Sequence, residues 1–239
     1  MTSIEFMALN ARADASRYWP HIHFYDRAAA RLGILLNIDR RLRFNPSYEQ
    51  RYLRASQWLD QQCLKVFQKH PTTVGVELGA GFSTRFHRLS ECHEWPRFSW
   101  VDIDNEELIR IKSSAMPRID NYFLVANHET VADVVVNICK RNEGPLTVVV
   151  DGLSHALDAE KLNRFIGGLR SATSRKIPVV LFIVFKSNLP WYKKLLQRVD
   201  LPANFLDSQL TELDGELINL EFFGKSSRCE SVIGAVMHF

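Results

Sequence analysis

Residues 74–85 read VGVELGAGFSTR and join the end of a short apolar strand to a glycine-rich turn. Gly79 and Gly81 follow the strand at its carboxyl end, which is where open α/β sheets bind ligands. Because glycine has no Cβ, the backbone of such a turn can approach a ligand closely. A tight turn without a ligand explains the same residues, so this stretch alone leaves both interpretations open.

The spacing of the glycines bears on the class of ligand. The dinucleotide motif G-x-G-x-x-G places a third glycine where the following helix receives a pyrophosphate. In this chain that position holds Thr84. The spacing therefore argues against a dinucleotide-dependent oxidoreductase, which we keep as an alternative.

Strands and helices alternate after Pro71, and this predicts parallel βαβ units. The predicted strands are Thr73–Leu78, Phe98–Asp102, Tyr122–Ala126, Leu146–Asp151 and Val179–Phe185. The predicted helices between them are Thr84–Leu89, Glu106–Ser114, Val131–Arg141 and Ala159–Ala172.

The two ends of the chain differ from this alternating part. Glu216–Phe223 and Ser231–Phe239 are separated by a short turn, which predicts an antiparallel hairpin. We expect a ligand-binding core of residues 71–239. Residues 1–70 should form a helical N-terminal segment that packs on this core, on the side where a second substrate, the acceptor of a transferred group, would bind. The predicted fold is α/β and Rossmann-like, with a seven-stranded, mostly parallel sheet, and is similar to the class I methyltransferase fold.

Composition excludes several classes of protein. Hydrophobic residues make up 46% of the chain, charged residues 24%, and the formal net charge is +3. Such values predict a globular protein without a dedicated nucleic-acid surface. The four cysteines form no CxxC pair, so we expect no metal site. No apolar run is long enough for a membrane span, so we expect no membrane association and a cytoplasmic location.

Polar residues end the second, third and fourth predicted strands. Asp102 is a candidate to bind the hydroxyls of a ribose, with Asp104 as the cap of the next helix. Asn127 and His128 lie where an adenine would bind, although a helix cap explains them equally well. Asp151 is expected to face the same cleft, or else to form a turn beside Gly152.

Four segments resemble one methyltransferase family. VELGAGFSTRFHRL, residues 76–89, resembles the LGAGxDTRxxRL signature of the leucine carboxyl methyltransferase family, which includes polyketide O-methyltransferases. YLRASQWLDQQCLKVF, FSWVDIDNEELI and TVVVDGLSHALDAEKLNRFIGGL are similar to three further family segments. The resemblance covers roughly residues 48–172, and the glycine segment is its most specific part.

The resemblance implies S-adenosylmethionine as the cofactor and S-adenosylhomocysteine as the product. Arg54 matches the arginine that binds the methionine carboxylate, and Asp151 matches a residue at the ammonium end. Arg17 matches an N-terminal basic residue near the cofactor only loosely. The full set of implied cofactor-binding residues is Arg54, Glu77, Gly79, Gly81, Asp102, Asn127, His128 and Asp151.

Some positions depart from the family pattern and leave the methyl acceptor open. Ser83 replaces an aspartate, Asp104 a proline, Asp151 a glutamate and Ala156 a tyrosine. Each change alters one contact, so the cofactor prediction survives them. The acceptor and the oligomeric state do not follow from the sequence.

The sequence therefore predicts a methyltransferase that acts on an oxygen or nitrogen of a small molecule, in secondary metabolism. His155 is the candidate general base, with a helix cap or a surface histidine as the simpler explanation. His21 and His23 lie in an aromatic stretch that either covers the acceptor or packs as an ordinary helix. A protein carboxyl methyltransferase and a non-catalytic protein of the same fold remain alternatives.

Overall fold

The computed structural model describes residues 3–127, 131–142, 144–151, 159–172, 177–187, 216–225 and 231–238. Its strands are β1 (Val74–Leu78), β2 (Ser99–Asp104), β3 (Tyr122–Ala126), β4 (Leu146–Asp151), β5 (Val179–Ser187), β6 (Glu216–Lys225) and β7 (Ser231–His238). They form one sheet in the order β3-β2-β1-β4-β5-β7-β6.

The first five strands are parallel, and β7 runs antiparallel to both β5 and β6. The predicted Rossmann-like α/β fold with a parallel sheet is confirmed. Since β1 lies between β2 and β4, the strand order reverses at β1, and such a switch point opens a crevice at the carboxyl edge.

The described helices are α1 (Ser3–Ala13), α2 (Ala15–Tyr18), α3 (Arg27–Leu35), α4 (Pro46–Lys69), α5 (Arg85–Glu91), α6 (Glu106–Ala115), α7 (Val131–Cys139) and α8 (Ala159–Ala172). Asn45 caps α4 by accepting a hydrogen bond from the Tyr48 backbone at 2.9 Å. The helix ends at Lys69, just before the His70-Pro71 stop signal that the sequence contains.

Each face of the sheet has its own apolar layer. On one face α4 and α5 pack on Trp100, Tyr122 and Phe182. On the other face α7 and α8 pack on alternate strand residues such as Val76. Gly75 lies on the first face, next to Trp100. A Cβ at this position would come within 2.2 Å of the Trp100 ring.

The N-terminal helices α1 and α3 form a third apolar cluster, which lies against the segment that follows the glycines. Leu9, Ala29 and Leu32 pack with Phe82 and with α6. The Phe6 and Phe82 rings stack with centroids 5.6 Å apart. The helical segment is therefore attached to the carboxyl edge of the sheet, while the predicted division of the chain at residue 70 stays a prediction.

Candidate functional site

The glycine turn after β1 has a backbone conformation that residues with a Cβ rarely adopt. Gly79 and Gly81 have positive φ angles of 64° and 48°. Both angles fall in the left-handed region, where glycine is unstrained. Ala80 donates its backbone N–H to the Ile103 carbonyl at 3.1 Å. The turn is thereby fixed against the end of β2.

Asp104 joins the turn to the ends of β2 and β3. Its Oδ2 accepts a hydrogen bond from the Gly81 backbone at 2.6 Å. Its own carbonyl accepts one from the Asn127 backbone at 2.7 Å. The glycine turn and the first residue after β3 thus converge on this aspartate.

The prediction that Asp104 caps the following helix is wrong. β2 extends two residues beyond its predicted end, so Asp104 is the last residue of the strand. Asn105 caps α6 instead, because its side chain accepts from the Leu108 backbone at 3.0 Å. Asp104 Oδ1 also accepts from the Asn105 backbone at 2.7 Å and from Asn105 Nδ2 at 3.0 Å, and 9% of the residue's surface is exposed.

Asp102, the predicted ribose ligand, lies in the interior with 1% of its surface exposed. Its Oδ1 accepts from Trp100 Nε1 at 2.8 Å. Its Oδ2 accepts from Lys112 Nζ at 2.6 Å and from the Tyr122 hydroxyl at 2.5 Å. We call these four residues the aspartate cluster. The carboxylate is thus used to join β2, β3 and α6.

The pKa of Tyr122 is raised well above its usual value, first by burial and then by the adjacent Asp102 charge. Its hydroxyl therefore stays protonated and donates to the carboxylate. A buried lysine–aspartate pair with additional hydrogen bonds is the arrangement in which such charges are tolerated. The cluster stabilises the sheet and lies about 7 Å behind the strand end, at two residues of strand rise.

Glu77 also faces the interior and braces the segment after the glycines. Its Oε1 lies 3.2 Å from Arg85 Nε and 3.1 Å from Arg85 Nη2. Its Oε2 accepts from the Ser83 hydroxyl at 2.7 Å. Ser83, which departs from the family pattern, therefore has a partner on β1. The assignment of Glu77 to the cofactor stays a prediction.

Six buried or nearly buried charged residues form what we call the arginine network. Its members are Arg12, Asp26, Asp60, Glu77, Arg85 and Arg88.

Arg88 shows how tightly the network is paired. It lies 2.7 Å from Asp60 through Nε and 2.5 Å from Asp26 through Nη1. Although burial lowers the pKa of Arg88, the charges of Asp60 and Asp26 raise it by more.

Arg54 differs from the arginines of the network. It lies on α4 with an exposed side chain. Within the described residues its guanidinium has no hydrogen-bond or ion-pair partner. A free, planar guanidinium is suited to a carboxylate ligand.

The remaining predicted residues are placed as follows. Asn127 is exposed directly after β3, and Asp151 is the buried last residue of β4. The pKa of Tyr52 is raised by burial and further by the charge of Asp151, so the Asp151 carboxylate is in electrostatic reach of α4. His128 and His155 lie outside the described residues.

The N-terminal candidates are exposed, but one arginine that the sequence analysis did not select is buried. Arg17 is exposed beside the Tyr18 ring, 5.4 Å from its centroid. His21 and His23 are exposed, and His21 lies 3.3 Å from Gln50. Arg12, in contrast, is 5% exposed and donates to the Phe82 carbonyl at 2.8 Å. The alternation of polar and apolar residues in the sequence could not have predicted that Arg12 is buried.

The described part of the chain lacks two kinds of feature. It contains no group of three or more His, Cys, Asp or Glu side chains that could hold a metal ion. None of its helices is both long and apolar enough to cross a bilayer.

No known family model matches the sequence. The chain is 26% identical over 136 residues to the tetracenomycin polyketide synthesis O-methyltransferase TcmP of Streptomyces glaucescens. The match covers 56% of this chain and 46% of TcmP, so the similarity spans about half the length of that relative. The predicted resemblance to a polyketide O-methyltransferase is thereby confirmed.

A crystal structure from Thermobifida fusca YX, described as a proposed methyltransferase, superposes with a TM-score of 0.53 at 13% identity. The superposition covers 95% of this chain and 93% of that one. At this identity the similarity establishes the fold, which is that of a methyltransferase structure.

Proposed function

We propose that this chain is an S-adenosylmethionine-dependent methyltransferase that acts on an oxygen or nitrogen of a small molecule. One observation carries the proposal: the positive-φ glycine turn, the end of β2 and the end of β3 meet at Asp104. Bare backbone beside an acid at a switch point suits an adenosyl ligand. The similarity to a polyketide O-methyltransferase supports oxygen as the acceptor atom and secondary metabolism as the setting.

The residues at this edge fit the cofactor that the proposal requires. Gly79 and Gly81 offer bare backbone, and Asp104 replaces Asp102 as the proposed ribose ligand because it lies at the strand end. Asn127 would bond the adenine edge. Arg54 would bind the carboxylate at the amino-acid end, since its guanidinium has no described partner.

Asp151 and His128 complete the proposed site. Asp151 would bond the ammonium group, because β4 lies beside β1 with Leu78 opposite Val150. His128 follows Asn127 and would lie near the adenine. These two assignments rest on strand position and on the family resemblance.

The cofactor would supply an electrophilic methyl group on a sulfonium. The protein must then hold the acceptor in line and exclude water. Helices α1 and α3 fit the second task, because they pack on Phe82 directly after the glycines. A phenol or enol acceptor would also need a base, and His155 is our candidate.

Two other functions use the same edge. A protein carboxyl methyltransferase needs no base, because its acceptor is already ionised, and a carboxyl methyl ester on a protein substrate would favour it. A non-catalytic protein would bind the cofactor without turnover. A screen of small-molecule and protein acceptors separates these cases. Transfer to a small molecule supports the proposal, a methyl ester on a protein supports the carboxyl methyltransferase, and no transfer to any acceptor supports the non-catalytic protein.

Calorimetric titration with S-adenosylhomocysteine tests the proposal, with NAD as a parallel control. We expect micromolar affinity for S-adenosylhomocysteine and no binding of NAD. The Arg54→Ala variant should bind much more weakly while keeping its unfolding midpoint. Binding of NAD alone would replace the proposal with the oxidoreductase alternative, and binding of neither would remove it.

The role of His155 has a separate test. His155→Ala should lower the rate of methyl transfer to a phenolic acceptor by about 10²- to 10⁴-fold, the usual contribution of a general base. Cofactor affinity should stay unchanged. An unchanged rate would mean that His155 is not the base.

A further inference from the structure

Arg12 connects the two sides of the proposed cofactor site. Its Nη2 donates to the carbonyl of Phe82, the residue after Gly81, at 2.8 Å. Its Nη1 donates to the hydroxyl of Tyr52, two residues before Arg54 on α4. One guanidinium therefore contacts both the glycine turn and the helix that bears Arg54.

Asp26 holds the same segment from the other side. Its Oδ2 accepts from the Thr84 hydroxyl at 2.6 Å and lies 3.6 Å from Arg12 Nε. Its Oδ1 accepts from the Ala29 backbone at 2.8 Å, which caps α3. Residues 82–84 are thus held by α1 through Arg12 and by the start of α3 through Asp26.

The burial of these groups makes their geometry well defined. Arg12 and Asp26 are each 5% exposed. Hydrogen bonds of a buried, planar guanidinium fix both distance and direction, and a lysine cannot reproduce its fork. A displacement of Arg12 would therefore change the spacing between the glycine turn and α4.

We infer that Arg12 is a positioning residue that sets this spacing for a ligand reaching both sides. The inference rests on the proposed function, in which the amino-acid end of the cofactor extends from the glycine turn to Arg54. The adenosine end lies with Asp104 and Asn127. Loss of Arg12 should therefore weaken ligands that have both ends more than ligands that have the adenosine end alone.

The experiment compares two ligands and two arginine variants by calorimetry. S-adenosylhomocysteine carries both ends, whereas 5′-methylthioadenosine lacks the amino acid. Arg12→Met removes the bridge. Arg40→Met is the matched control, because Arg40 bonds Asp14 at 3.4 Å and the Ala30 carbonyl at 3.2 Å within the same N-terminal segment.

Arg12→Met should bind S-adenosylhomocysteine about tenfold more weakly, as expected when a displaced Arg54 loses one charged hydrogen bond to the ligand. Its affinity for 5′-methylthioadenosine should equal that of the wild type. Arg40→Met should leave both affinities unchanged. Arg12→Lys provides a second variant if Arg12→Met does not fold, and its loss should be intermediate because one ammonium cannot hold both partners in the same way.

The outcomes separate this inference from the proposed function. Unchanged S-adenosylhomocysteine binding by Arg12→Met would overturn the inference and leave the function standing. An equal loss for both ligands would also overturn it, because Arg12 would then act on the fold as a whole. A wild type that binds neither ligand would overturn both proposals.

Discussion

The arginine network and the aspartate cluster both bury charges beside the carboxyl edge of the sheet, but they reach different parts of the molecule. The network joins α1, α4, α5, β1 and the start of α3, and it contacts the backbone after the glycines at Phe82. The cluster joins β2, β3 and α6 through side chains. Buried charge therefore shapes the proposed site in the first case and stabilises the sheet in the second.

The largest effect is expected where two carboxylates lose a shared partner. Arg88→Met would leave Asp60 and Asp26 without the guanidinium that lies 2.7 and 2.5 Å from them. Breaking a buried pair from one side costs about 3–5 kcal/mol, because the remaining charge stays desolvated. Urea unfolding should show this loss. A loss below about 1 kcal/mol, the range of exposed pairs, would contradict the assigned burial.

A smaller effect is expected in the aspartate cluster. Asp102→Asn would leave the Lys112 ammonium without its counter-charge, although the amide oxygen can still accept from Tyr122. We expect a loss of about 3 kcal/mol, near the lower end for a broken buried pair. The unfolding midpoint measures it. An unchanged midpoint would mean that Asp102 is solvated and accessible, contrary to its position here.

His87, which borders the aspartate cluster, should make stability depend on pH. Its ring lies edge-on to Tyr122, with centroids 5.4 Å apart. Burial, followed by the Lys112 charge, lowers the pKa of His87 from 6.5 to about 4. Between these values the unfolded chain binds a proton that the folded chain does not, so stability falls as the pH falls from 6.5 towards 4.

The His87→Gln variant isolates this contribution. Its urea midpoint should fall less steeply than that of the wild type over the same pH range, since glutamine does not titrate there. The difference between the two curves is the quantity to measure, because the substitution leaves every other ionisable group in place. Parallel curves would mean that His87 is exposed in the folded protein.

The smallest effect is expected for a pair outside both groups. Arg41 and Asp39 form an ion pair at 2.9 Å, with the Arg41 side chain 90% exposed. The side-chain hydrogen bond from Arg41 lowers the pKa of Asp39. Solvent screens such a pair, so Arg41→Met should not measurably change the urea midpoint. A clear loss of stability would mean that burial does not explain why the arginine network and the aspartate cluster contribute more than this exposed pair.

Strand positions could be predicted from the sequence, because alternation and turn residues are local. β3 and β4 have their predicted bounds, and β1 begins one residue later than predicted. The error of two residues at the end of β2 mattered more. Asp102 and Asp104 point to the same face of the strand, so the alternation of side chains cannot tell which of them lies at the ligand site. Only the position of the strand end distinguishes the two aspartates.

The contacts of the N-terminal helices could not be predicted in the same way. Arg12 and Phe82 are 70 positions apart, and Asp26 and Thr84 are 58 apart. Contacts at such separations leave no local signal in a single sequence. Arg17 was proposed because it loosely matches an N-terminal basic residue of the family, whereas Arg12 is buried by the packing of α1 on the segment after the glycines.

The most direct test of the account is a paired titration of Asp104→Asn and Asp102→Asn with S-adenosylhomocysteine, at a temperature where both variants are folded. We predict that Asp104→Asn loses at least tenfold in affinity, while Asp102→Asn binds like the wild type. That result would place the ligand at the strand end beside the glycine turn. Unchanged binding by Asp104→Asn, with loss in Asp102→Asn, would contradict the account and return the ribose to the interior aspartate.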